Sequence, residues 1–118
     1  MFSESARTGE AFLITEEIMT LHGINIPRER IAEFCRINGI RRLALFGSIL
    51  RDDFRRESDI DVLVEFQPGV NIGLAFIRMQ DDLTAILGHH VDLNTPGSLS
   101  KYFKTEVLGE AETLYVAA

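Results

Sequence analysis

Asp59 and Asp61 open an apolar run, Ile60-Asp61-Val62-Leu63-Val64, that reads as a β-strand. Strand side chains alternate faces, so the two carboxylates project to one side, about 6 to 7 Å apart along the strand. That arrangement suits a hard divalent cation. Mg²⁺ takes oxygen ligands, commonly one or two carboxylates plus waters and phosphate oxygens, and two such ions about 3.5 to 4 Å apart activate an attacking hydroxyl and a leaving phosphate together. A third acid, Asp92, sits in His90-Val91-Asp92-Leu93, a second short apolar strand that reaches the same rim if it lies beside the first. An Asp-x-Asp pair alone is more often a solvated strand end. What changes the reading is Gly47-Ser48, separated from Asp59 by ten residues.

Gly47-Ser48 follows Arg42-Leu43-Ala44-Leu45-Phe46, which reads as a buried strand, and precedes a helical turn at Ile49-Leu50-Arg51. A glycine in such a tight turn lets backbone approach a phosphate, a serine hydroxyl bonds a phosphoryl oxygen or caps the turn, and unpaired N–H groups face an anion. Arg51 adds a fixed positive charge close by. Ser58, just before Asp59, is a candidate nucleotide contact, although a serine there more often bonds local backbone and holds the strand start.

The ordered set of Gly47-Ser48, Arg51, Ser58-Asp59-Ile60-Asp61 and Val91-Asp92-Leu93 resembles the signature of the minimal nucleotidyltransferases of the polymerase β-like superfamily, and the match runs from about Arg41 to Tyr115. Within that family the chain is most similar to the antitoxins of the MntA type, small cytoplasmic proteins paired with a HEPN-family (HepT-type) RNase toxin. The resemblance implies a polymerase β-like α/β (α+β) fold, a small mixed sheet with helices packed on it. It implies transfer of AMP from ATP to a tyrosine hydroxyl of the toxin, which silences it. It places the triphosphate on Gly47 and Ser48 and the metal, as two Mg²⁺ ions, on Asp59, Asp61 and Asp92, with Asp92 also activating the hydroxyl. The chain departs from the family at Asp52, where a glycine commonly follows the residue matching Arg51.

At 118 residues the chain is one domain's worth, able to bury about two thirds of its unfolded surface. The family pattern is complete from Met19 onward. Residues 1–24 are therefore read as an N-terminal extension, helical or a non-native start, and 25–118 as the nucleotidyltransferase domain. A net charge of −6 argues against a general nucleic-acid binder and suits a basic protein partner. One cysteine, Cys35, excludes an intramolecular disulfide. With no signal peptide and no 18-residue apolar run, the expected location is cytoplasmic, with no membrane partner. A homo-oligomer or a hetero-oligomer with the toxin both remain open.

The elements that must position these residues follow from periodicity. Weak helical periodicity covers Glu10 to Leu21. A helix begins with Pro27 in its first turn, carries Ile31, Phe34 and Cys35 on one face and stops at Asn38-Gly39. Strands near Arg42–Phe46, Ile60–Phe66 and His90–Leu93 alternate with a helix from about Ile72 to Leu87, whose Phe76, Met79, Leu83, Ile86 and Leu87 form a core stripe. Residues 98–107 read as a short amphipathic helix and Thr113–Val116 as an edge strand.

The remaining polar groups have plainer readings. Cys35 packs in the core. His89-His90 lie in an exposed turn after Gly88, with His90 a secondary candidate for nucleotide or partner contact. Arg55 and Arg56 are read as solvated surface, with partner or phosphate contact as the alternative, Lys101 and Lys104 line the wet face of the last helix, and Tyr102 and Tyr115 pack. A domain this small has little surface for an acceptor pocket, so the acceptor is expected on another protein. Two rivals are a binding-only antitoxin that occludes its toxin without turnover, and a small-molecule nucleotidyltransferase.

Overall fold

The computed structural model describes residues 18–118. The expectations for residues 1–17 and for the side chains of Lys101 and Tyr102 lie outside the described residues. Ile18–Leu21 forms strand β1, which the helical reading of that stretch did not anticipate, and it pairs antiparallel with β2, Ile24–Pro27. The connection is a two-residue turn with His22 and Gly23 both at positive φ, 53° and 78°. Hairpins of this kind are normally announced by Asn-Gly, and His-Gly does not carry that signal.

Pro27 is the N-cap of helix α1, Arg28–Ile37, which leads to β3, Ile40–Phe46, and a 3₁₀ turn at Gly47–Leu50. Then come β4, Ile60–Phe66, helix α2, Ala75–Leu87, and β5, Val91–Asn94. The last two elements are helix α3, Lys101–Glu110, and β6, Glu112–Val116. The sequence pattern places α3 about three residues early, because Ser100 is the residue that caps it: its hydroxyl accepts the Phe103 N–H at 3.3 Å.

Four strands form one mixed sheet in the order β5-β4-β3-β6. The β3–β4 and β3–β6 pairs are antiparallel and β4–β5 is parallel, with α2 as the crossover. The predicted edge strand is therefore present, paired to β3. Arg42 ties three strands together, donating to Glu65 and to Thr113 at 2.8 Å each.

Alternation along the strands sorts side chains onto two faces. Leu43, Leu45, Ile60, Val62, Val64, Val91 and Leu93 meet Ile26, Ile31, Phe34, Cys35, Met79, Leu83 and Leu87 in the main core, so α1, α2 and the hairpin cover one face. Phe46 and Leu63 point the other way and pack with Val107 of α3. Burial pushes the Cys35 thiol up to about 12, as expected of a cysteine that acts as a core hydrophobe. No helix among the described residues is long and apolar enough to cross a membrane.

Leu83 is fully buried on α2 against this sheet face. Leu83→Ala should lower stability by about 2 to 5 kcal/mol in urea unfolding. A loss below about 1 kcal/mol would mean that α2 is not seated on the sheet.

Candidate active site

The candidate residues gather at one end of the sheet, where β3 finishes and β4 and β5 begin. Phe46 stands opposite Asp61 in the β3–β4 register, and Asp61 stands beside Asp92 in the parallel β4–β5 register. Neighbouring strands lie about 4.8 Å apart, so Asp61 and Asp92 are lateral neighbours on one face. That face is the one carrying Phe46 and Leu63 and facing α3, away from the main core. Asp59, two residues before Asp61, completes an acidic rim.

Gly47 adjoins this rim with φ at +78°. A Cβ built on it would lie 2.2 Å from Asp61 Oδ2, well inside any tolerable contact. The position therefore needs glycine twice over, for its left-handed backbone and for the close approach of the Asp61 carboxylate. The helical turn expected after the glycine is a 3₁₀ turn that starts at Gly47 itself and closes with the Arg51 N–H on the Ser48 carbonyl at 2.9 Å. Ser48 is half-buried and its side chain does not cap the turn.

Asp61 is the perturbed group. Its carboxyl is pushed up to about 6, first by burial and then by the neighbouring charges of Asp92 and Asp59, against a smaller opposing pull from Arg51. Asp92, Asp59 and Arg51 thus all act electrostatically on Asp61. Among the described residues no group of three or more His, Cys, Asp or Glu side chains is closed into a ready metal set. Asp59 Oδ1 instead meets His90 Nδ1 at 2.9 Å, and Asp92 Oδ2 lies 3.4 Å from the Asn94 amide. The donor chemistry nonetheless fits a hard divalent cation: three carboxylates share a rim, and one of them is held in a charge state that a cation would relieve.

The other predicted residues occupy defined places. Arg51, half-exposed, lies 3.5 Å from Asp53 and 3.6 Å from Glu110 at the end of α3, bridges weak enough to yield to a stronger anion. Asp52 is exposed. The Ser58 hydroxyl accepts the Arg55 N–H at 3.0 Å and so closes the turn before the strand.

His90 is exposed as expected, but its bond to Asp59 was not anticipated. The parallel register contains the signal, because the Ile60–Val91 pairing extended back by one residue puts Asp59 beside His90. His89 departs from the exposed reading. It is half-buried, with Nε2 on the Ser58 carbonyl at 2.6 Å and its ring 5.3 Å from Phe54.

The family described as nucleotidyltransferase domain matches residues 28–114. The protein adenylyltransferase MntA of Thermococcus cleftensis is 36% identical over 95 residues, covering 80% of this chain and 87% of the relative. A solved toxin-antitoxin structure with AMP-PNP superposes with a TM-score of 0.63 at 24% identity, over 78% of this chain and 75% of that one. A chain from the complex of tri-AMPylated Shewanella oneidensis HEPN toxin with MNT antitoxin gives 0.56 at 24% identity, over 76% and 70%.

Gly47→Ala should destabilise the protein by about 1 to 2 kcal/mol from the left-handed backbone alone, with a further loss from displacing Asp61. Thermal melting beside a nucleotide-binding assay checks this, and unchanged binding would show that the Gly47–Asp61 approach is dispensable. Asp61→Asn works in the opposite direction without metal. Its folded-state pKa near 6 lies above the ordinary 3.8, so ionised Asp61 opposes folding above pH 6, and that penalty fades as pH falls toward 3.8. In chelator at pH 7.5 the variant should melt above the wild type. The gap should close by pH 4, and Mg²⁺ should raise the wild-type melting temperature only.

Proposed function

The chain belongs to the nucleotidyltransferase-domain family, and from that premise we propose that it is an MntA-type protein adenylyltransferase antitoxin. It transfers AMP from Mg²⁺-ATP to a tyrosine hydroxyl of a partner HEPN toxin. The observation that carries this reading is the acidic rim itself: Asp59, Asp61 and Asp92 aligned by strand register beside a glycine turn with no room for a side chain. The MntA relative supports protein as acceptor, and the solved complex of a HEPN toxin with an MNT antitoxin supports the kind of partner.

In this reading the Gly47–Ser48 turn receives the triphosphate, with Arg51 leaving its weak bridges to Asp53 and Glu110 for a phosphate oxygen. Asp59, Asp61 and Asp92 would hold a divalent cation, which would supply positive charge against the phosphate and the attacking phenolate oxygen. Asp92, on the exposed edge strand β5, faces an incoming acceptor most directly and accepts the hydroxyl proton. The tyrosine oxygen forms a bond to the α-phosphorus, the bond to the bridging oxygen breaks in line, and pyrophosphate leaves. Most of the rate enhancement comes from positioning and from preorganised charge. Asp61, half-buried and raised toward 6, is the acid whose ionisation depends most on cation binding.

The test is intact-mass spectrometry of the cognate toxin after incubation with the protein, ATP and Mg²⁺, alongside Asp59→Ala/Asp61→Ala. A gain of one or more AMP units that disappears with the double variant is expected. A stable complex with no mass gain would replace transfer by simple occlusion of the toxin.

A further inference from the structure

On the face of the sheet where Ile24 and Phe54 pack against the main core, the structure holds a polar cavity that contains none of the three aspartates. It is about 390 Å³ and is lined by His22, Ile24, Phe54, Arg55, Arg56 and His89. Three rings run through it. Phe54 lies 4.9 Å from His22 and 5.3 Å from His89, at 32° and 45°, so the rings form a tilted series. His22 occupies a left-handed position of the hairpin turn, with its ring against Phe54.

The charge is as unusual as the rings. Arg55 and Arg56 are consecutive and exposed, and neither guanidinium makes an ion pair among the described residues, in a chain with net charge −6. Paired guanidinium groups beside aromatic faces suit a ligand with an anionic group and a flat ring. The cavity lies at the small end of the range for ligand pockets, about 300 to 1,000 Å³, enough for one nucleotide. An oligonucleotide track would need a longer basic groove, and the acidic surface opposes one.

We propose that this cavity is a second nucleotide site, distinct from the Gly47–Ser48 turn, that takes one purine nucleoside 5′-monophosphate unit. The base lies against the His22–Phe54–His89 rings and the phosphate meets Arg55 and Arg56. The site touches the acidic rim through two adjacent residues: His89 holds the Ser58 carbonyl and His90 holds Asp59. The unit is either free AMP or an AMP group already esterified to a protein hydroxyl. The inference rests on the cavity and not on the transfer reaction.

The chain contains three histidines, so their ring proton signals report on the site directly. AMP is titrated into the full chain with chelator present, beside adenosine, inorganic phosphate, adenylyl-tyrosine and oligoadenylate. Saturable shifts of the His22 and His89 signals are expected with AMP, weaker with adenosine or phosphate alone. Arg55→Ala/Arg56→Ala should weaken binding about tenfold or more without changing the melting temperature, since charge-assisted bonds are lost and no core is touched. Asp61→Asn should leave binding intact. Adenylyl-tyrosine binding as well as AMP identifies a protein-linked unit, whereas binding of AMP alone identifies the free nucleotide. The proposal fails if millimolar AMP gives no saturable shift, if Asp61→Asn abolishes binding while the arginine variant keeps it, or if oligoadenylate binds where AMP does not.

Discussion

The approach of the Asp61 carboxylate to the Gly47 backbone organises the active end of this protein. The β3–β4 register sets Phe46 opposite Asp61, and the chain then turns through Gly47 directly over that carboxylate. No other residue fits, because a side chain would occupy the same space as Asp61 and the backbone is left-handed there. The glycine turn and the Asp61 carboxylate are thereby locked into one geometry. The same crowding half-buries Asp61 beside two further carboxylates and raises its proton affinity. Repulsion of this kind is not relieved by rearrangement, because the strands that carry the acids are held in register.

What fixes them is the opposite face. The side chains that alternate with Asp61 and Asp92, namely Ile60, Val62, Val91 and Leu93, lie in the main core beneath α1, α2 and the hairpin. The apolar layer holds the strands in register against the like-charge repulsion on the other side. The strand pleat thus divides the positions: one set supplies stability and the other presents the candidate acids. His89 and His90 repeat the division at the start of β5, one ring packing toward Phe54 on the helix side and the other meeting Asp59 on the acidic side.

Much of this was legible in the sequence because it is local. The apolar runs of β3 and β4, the helical stripe of α2, the glycine turn, and the two acids at one strand head depend on neighbours a few residues apart, and the structure places them where pattern reading does. The β1 strand was misread because a four-residue strand is too short to establish a period and its His22-Gly23 turn lacks the usual asparagine.

The sequence by itself determined the family, and with it the class of reaction, because the order of glycine-serine turn, paired aspartates and third aspartate is carried by local runs of residues. Tertiary structure alone decided how they meet. Parallel pairing of β4 with β5 sets Asp92 beside Asp61 and His90 beside Asp59, across about thirty residues of chain. Chain folding also gathers His22, Phe54 and His89 from three separate segments into one cavity. Such contacts follow from strand order and from which face each helix covers, and those are settled by burying the whole core at once, which no local stretch encodes.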